Sequence, residues 1–354
     1  MRTPTFSFFS GETVFQWKFP CHSTDLVYFR KRIGKEGVKK ILKVSIDLHG
    51  KRAKEREALV DTTVQEKNIT FPTDTKLYKR IIEHCVGISE KESIILRQSY
   101  RRMTKKLMLA QRFRNHPKNR KRARAAQRKL KTIAGRLVRE IERKLPASSL
   151  AKYSQEIEIF QQVLNQEKNS TNKIYSIHEP EVYCISKGKD HKKYEFGSKA
   201  SIVVAKNNGI IVGAAHFSKN KYDGHTLPET LTQTEELMGL RPKFAICYRG
   251  FRGKTFVDST HITIPKAPGK RTTNYQKHKA RKRFRRRAGI EPIMEHLKSD
   301  FRLMRNYLKG SLGDSINLML AVAAFNFRKL MRELLDYLLQ FFITYRRQVL
   351  ALMR

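Results

Sequence analysis

Between Arg281 and Asp300 the chain reads RKRFRRRAGIEPIMEHLKSD, a dense cationic run leading straight into a helix start that carries an acid. Glu291 opens the helix expected there, and Pro292 beside it sits where a missing N–H costs nothing. Arg287 precedes Glu291 by four residues and Lys298 follows it by seven, so helical spacing puts both on roughly the carboxylate's face. A carboxylate able to hold a metal, flanked by cations able to hold phosphates, suits chemistry on the backbone of nucleic acid. A second acid lies far upstream. Ala58–Leu59–Val60 runs into Asp61 and two threonines, the pattern of a buried central strand that brings a carboxylate to a sheet edge. An acid closing such a run is costly unless it is paired or metal-bound.

The elements that must position these two acids follow from periodicity and turn chemistry. Ser201–Ala205 and Ile210–Ala214 are apolar runs joined through Asn207–Asn208–Gly209, a hairpin signal. A helix is expected from Thr226 or Pro228 to Gly239, then a buried strand over Lys243–Cys247, a glycine-rich turn from Tyr248 to Gly253, and another strand over His261–Ile264. Residues 266–287 read as a basic loop before the Glu291 helix, and an apolar helix over Asp314–Met331 is expected to cover the sheet. Residues 76–165 read as helical and very basic, broken at Pro117, with Leu130, Ile133, Leu137, Ile141 and Leu145 forming one packing stripe. Near the start, Ser23–Thr24–Asp25 suits a helix cap and Gly34 a stop. Val38, Ile41, Leu42 and Ile46 then fit a helix, while Leu42, Val44, Ile46 and Leu48 also fit a strand; helix is the expectation. The sum is a mixed α/β core with a helical insertion.

Composition narrows the partners. The 354 residues carry 74 Lys plus Arg against 32 Asp plus Glu, a formal charge of +42. Self-repulsion on that scale points to a polyanionic partner, and nucleic acid fits better than a membrane because the cations are spread along the chain. The one-sided charge of the helical segment around Arg124, Arg128 and Lys131 suggests phosphate contact there as well. Four cysteines without CxxC spacing argue against a zinc site or a disulfide framework. No signal peptide is recognised, and the longest apolar stretches, Ile316–Phe325 and Leu334–Ile343, are too short to span a bilayer. A soluble, cytoplasmic or nucleoid-associated protein is expected.

An ordered series of motifs resembles the DDE transposases of bacterial insertion sequences, in the branch called insertion-sequence family five. The matching stretches are LVDTTVQEKNITFPTDTKL (59–77), NKIYSIHEPEVYCISKGKDHKKYEFGSKASI (172–202), YDGHTLPETL (222–231), CYRGFRG (247–253) and IEPIMEHLKSDFRLMRNYLKG (290–310). The resemblance implies an RNase H-like mixed sheet core over 56–75 and 170–331, a basic helical insertion over 76–169 and a helical tail over 332–354. Residues 1–55 would be the remnant of an N-terminal helical DNA-binding domain, its beginning missing. Around the third acid such proteins carry Tyr, Arg, Glu and Lys at the spacing that Phe284, Arg287, Glu291 and Lys298 have here. By the same carry-over Asp61 matches the first catalytic acid, and Lys199 is a further phosphate-contact candidate. Where relatives have the second catalytic Asp, this chain has Tyr248.

The resemblance also implies the reaction. Two Mg²⁺ or Mn²⁺ ions, about 3.5–4 Å apart, would activate the attacking oxygen and stabilise the leaving one as duplex DNA is cut and joined. Such ions prefer oxygen ligands, here Asp61 and Glu291. A tyrosine stays neutral near pH 7 and is bulky where an ion should sit, so strand cleavage is expected to be lost or severely impaired. Of the other acids, Asp223 in the YDGHT stretch lies near the hairpin end where it could substitute for the missing one, but reads first as a helix cap; Asp258, Asp74 and Asp190 read as loop residues, and the histidines (His84, His116, His178, His191 and His296) as ordinary. Double-stranded DNA, both element ends and target, is the expected partner, with a homodimer or larger assembly on it and no membrane. The alternatives are a non-catalytic DNA-binding remnant of a transposase and a basic RNA-binding protein.

Overall fold

Apolar patterning separates the chain into two cores, one built on a sheet and one on helices alone. The computed structural model describes residues 21–167, 169–186, 192–265, 269 and 272–352. Asp190, His191, Lys266 and residues 1–20 lie outside them.

Helix α1 (Ser23–Asp47) is capped by His22, whose ring accepts from the Thr24 N–H while Asp25 returns a carboxylate to the His22 N–H. Gly34 breaks its regularity with a φ of 58°, which a residue without Cβ tolerates. The stop expected at Gly34 is therefore a kink. Val38, Leu42 and Ile46 recur every fourth residue and are buried, as a helix requires and a strand would not.

Strand β1 (Glu57–Glu66) lies inside a seven-stranded mixed sheet, so the fold is the expected α/β class with an RNase H-like core. It runs antiparallel to β3 (Tyr194–Ala205) along its length, from Ala58 opposite Ala205 to Glu66 opposite Gly197. On its other side it is parallel to β5 (Phe244–Ile246) over Glu57–Leu59 only. β5 pairs with β7 (Thr260–Thr263), closed by the two-residue β6 (Phe256–Val257). The far edge of β3 takes β2 (Tyr183–Ser186) first and β4 (Ile211–Phe217) after it. The hairpin turn through Gly209 is where the sequence placed it. Because β5 stops pairing at Leu59, no strand among the described residues pairs with β1 on that side at Asp61. The sheet opens there, and this opening is the candidate site.

Helices α6 (Asp223–Met238) and α9 (Gly310–Leu352) pack with α1 on the β3–β4 hairpin. α6 begins earlier than expected and contains Pro228. Its end is as foreseen, with Gly239 in the left-handed region at φ 67°. At the β3–β4 bulge, Asn326 of α9 accepts from the Ile211 N–H at 3.0 Å and donates to the Ile211 carbonyl at 2.8 Å. A buried amide thus repairs a broken ladder. α9 runs well past the expected Met331, with large apolar side chains exposed from Leu334 to Tyr345. No helix among the described residues is long and apolar enough to cross a membrane.

The basic loop expected over 266–287 is corrected where it is described: α7 (Asn274–Arg287) is a helix, opened by a reciprocal cap between Thr273 and Gln276. It leads through Gly289 into α8 (Ile290–Ser299). The insertion consists of α2 (Asp74–Lys91), α3 (Arg101–Leu109), α4 (Pro117–Lys144) and α5 (Ala147–Asn165). Asp74, expected in a loop, is instead the first residue of α2 behind the Thr73 cap. Pro117 stands at the start of α4, and the stripe from Leu130 to Leu145 is buried against Ile81 and Phe160. Lys121, Arg124, Arg128 and Lys131 lie on the opposite, exposed face.

Candidate active site

Asp61 and Glu291 are 230 residues apart in sequence, and one guanidinium joins them. Arg287, the last residue of α7, donates from Nη2 to Asp61 Oδ2 at 2.6 Å and from Nη1 to Glu291 Oε1 at 3.3 Å. The Asp61 side chain is only 13% exposed, whereas Glu291 is 66% exposed and opens to solvent. A 2.8 Å bond from the Thr62 N–H holds the other Asp61 oxygen. Burial is the largest influence on Asp61 and raises its carboxyl above the ordinary range, against Arg287 and Thr62 and with help from the Asp223 charge.

Tyr248 follows β5 and forms the third side. Its ring lies under the Arg287 guanidinium, 5.2 Å from centroid to Cζ, and meets Phe251 edge-on at 5.2 Å. The ring folds back over the turn so closely that a Cβ at Gly250 would fall 2.4 Å from Tyr248 Cε2. The phenol donates to Asp223 Oδ2. Burial, then the hydrogen bond to Asp223, raises the phenol far above its usual value, so it stays protonated at any ordinary pH.

Asp223 corrects the sequence reading. It is the first residue of α6 and makes no capping bond; its carboxylate turns into the site. Besides Tyr248 it accepts from Thr62 Oγ1 at 2.9 Å and from Lys199 Nζ at 2.8 Å. Lys199, a phosphate candidate from sequence, is thus buried with its ammonium shared between Asp223 and the Lys221 carbonyl. The signal for Asp223 was its place in the YDGHT stretch, but a first-turn acid is ordinary and its partners come from distant strands. Phe284 is half-buried against the sheet core, which anchors α7. Lys298 is half-buried on α8, and among the described residues no ion pair joins it to either acid. Asp258 pairs with Arg241, and His84, His178 and His296 bond to neighbouring polar side chains.

With this geometry in hand, known proteins place the region. Residues 176–327 match the family of the transposase DDE domain. The matched stretch holds Asp223, Tyr248, Arg287 and Glu291, with Asp61 on β1 upstream of it. Over 111 residues the chain is also 38% identical to a protein of Rhizobium meliloti described as an uncharacterized protein, ORF8 in the nfe locus. That similarity covers 30% of this chain and 54% of the relative, so the chain spans about half of the relative's length. No solved structure gives a significant match.

DDE transposase domains generally use divalent metal ions, and the residues present can be weighed against that need. Asp61 and Glu291 are hard oxygen donors on one guanidinium, and Mg²⁺ is commonly held by one or two carboxylates with substrate phosphate completing its shell. They suit one ion. Among the described residues no group of three or more His, Cys, Asp or Glu is placed to hold a metal. The Asp223 carboxylate is engaged by the Tyr248 phenol and by Lys199.

Proposed function

We propose that the chain is a DNA-binding transposase of the DDE type, of the insertion-sequence family five branch, whose strand cleavage is impaired by Tyr248. The observation carrying this is the convergence of Asp61, Arg287, Glu291 and Tyr248 at the point where β1 loses its β5 neighbour. Cations then do the binding. Arg281, Lys282 and Arg285 on α7 lead toward the acids, and the exposed face of α4 extends the basic surface. Both track phosphates without reading sequence. A bound divalent ion would activate the attacking oxygen and stabilise the leaving one. The residues' own part is to orient the scissile phosphate: Arg287 is the cation nearest both carboxylates, and its fork matches phosphate oxygens. Tyr248 contributes neither charge nor a metal ligand at the point where a bridging carboxylate belongs. Lys298 and Phe284 serve this reading as a flanking cation and as the packing anchor of α7.

The experiment is nicking of supercoiled plasmid with Mn²⁺ by the unaltered chain and by Tyr248→Asp. Nicking by Tyr248→Asp, with little or none by the unaltered chain, is expected. Equal nicking by both would refute the impairment, and a flat salt dependence of duplex binding would refute DNA as the partner. Tighter binding to structured RNA than to duplex DNA would favour the RNA-binding alternative.

A further inference from the structure

We infer that Arg287 couples divalent-ion binding to phosphate binding, because a single guanidinium neutralises both carboxylates that would ligate the ion. The inference rests on the DNA-binding reading above. Arg287 is not a peripheral cation: its side chain is 19% exposed, it spans a strand acid and a helix acid, and its flat face covers Tyr248. Its hydrogen bonding is also incomplete, since the buried Nε has no partner. The neighbouring Arg286 is committed elsewhere, to the Lys206 and Asn207 carbonyls, so it does not compensate.

An ion entering between Asp61 and Glu291 therefore competes with the guanidinium for Asp61 Oδ2 and Glu291 Oε1. If nothing else receives it, a charged group is left half-buried against Tyr248, and ion binding is weak. A DNA phosphate supplies the missing partner, because two oxygens accept the same parallel N–H groups that now face the acids. The exchange transfers no electrons and breaks no covalent bond: Arg287 passes from carboxylates to phosphate, and the carboxylates pass from Arg287 to the ion. Coupling between two binding events is reciprocal, so the ion must also tighten phosphate binding at this position. Tyr248 keeps the exchange local, because it adds no acid to hold the guanidinium in place once the phosphate arrives.

The test is Mn²⁺ titration followed by the EPR signal of the free ion, with and without a short duplex, on the unaltered chain, Arg287→Gln and Asp61→Asn. The Asp61→Asn chain reports the Mn²⁺ held by the DNA itself. The unaltered chain is expected to bind Mn²⁺ about tenfold tighter with duplex than without, within the usual range of coupling between sites. Arg287→Gln is expected to bind Mn²⁺ without duplex more tightly than the unaltered chain does without it, and to gain less from duplex than the unaltered chain gains. No gain in Mn²⁺ affinity for Arg287→Gln without duplex, or equal affinity of the unaltered chain with and without duplex, overturns the inference. Should Arg287→Gln fail to fold by circular dichroism, Arg287→Lys decides. Its single point charge satisfies one acid at a time, so its coupling must be smaller than that of the unaltered chain, and undiminished coupling overturns the inference. Failure of the unaltered chain to bind duplex at all, seen by anisotropy, would count against the DNA-binding reading; the Mn²⁺ gain of Arg287→Gln without DNA would still stand or fall by itself.

Discussion

Replacing Lys67 with Met should destabilise the fold that carries the site by about 3–5 kcal/mol at pH 7, the usual cost of breaking a buried ion pair. Lys67 follows β1, and its side chain is 4% exposed. The ammonium stands 2.8 Å from Asp314 and 3.2 Å from Glu179, and donates to the Leu308 carbonyl at 2.7 Å. Both carboxylates are nearly as buried, at 7% and 8% exposure. Methionine fills much the same volume but leaves two negative charges facing each other without their cation. His216 remains 3.5 Å from Asp314, and Asn306 still donates to it at 2.6 Å, so the loss is not total.

The pH dependence gives the sharper test. In the unaltered chain burial alone would raise the Asp314 carboxyl, but His216 and Lys67 hold it below the ordinary range. An acid with a lowered folded value contributes stability that is fully present above its unfolded value, near 4, and is lost as the pH falls through the folded value. Without Lys67 the sign reverses, since protonating a carboxyl then relieves repulsion and desolvation. The penalty of Lys67→Met should therefore shrink from pH 7 to pH 5. The assay is guanidinium unfolding followed by circular dichroism at both pH values, with Lys67→Met/Glu179→Gln/Asp314→Asn as control. That triple variant should recover much of the loss. A cost below about 1 kcal/mol, or one that does not change with pH, would refute the reasoning.

Further outcomes follow from other contacts. A Cβ at Gly213 would fall 2.0 Å from Thr234 Oγ1. Gly213→Ala should thus cost about 1–3 kcal/mol by forcing α6 off the sheet, and Gly213→Ala/Thr234→Ala should recover part of it in the same unfolding assay. Glu92 accepts from Lys152 at 2.9 Å, Ser149 at 2.7 Å and Tyr153 at 2.8 Å, which lower its carboxyl to about 2. Carbon-detected NMR should find it ionised until about that pH, its stabilisation present above the unfolded value and lost as the pH falls toward 2. A midpoint near the ordinary 4.3 would show that these bonds do not form in solution.

Much of this arrangement could be read from the sequence, for reasons that differ by element. The 201–214 hairpin was legible from two continuous apolar runs and the Asn207–Asn208–Gly209 turn, and the Leu130–Leu145 stripe from its period of about 3.6, all local properties. β1 extends past Asp61 through Thr62, Thr63 and Gln65; the threonines suit a strand, but the apolar run ends at Val60, and it is pairing with β3 that carries the strand on to Glu66. α7 was read as a loop because Phe284 is its one apolar anchor among so many cations, and its Thr273–Gln276 cap went unrecognised. Asp61, Arg287 and Glu291 were each named from sequence, and the structure brings them together. Asp223 was set aside as a cap, because nothing local announces that Lys199 and Tyr248 will meet it.

The helical insertion leaves the sheet after β1 and returns before β2, and the rings of Phe71 on the way out and Tyr175 on the way back both rest on Phe196 of β3, at 5.5 and 5.3 Å. Departure and return are thus fastened at one aromatic stud. A load drawn across the arginine-rich face of α4 would be delivered there, onto the strand that pairs from Gly197 to Ala205 with the one bearing Asp61. The insertion is in this sense a lever arm, its fulcrum a single ladder away from the acid it would have to serve.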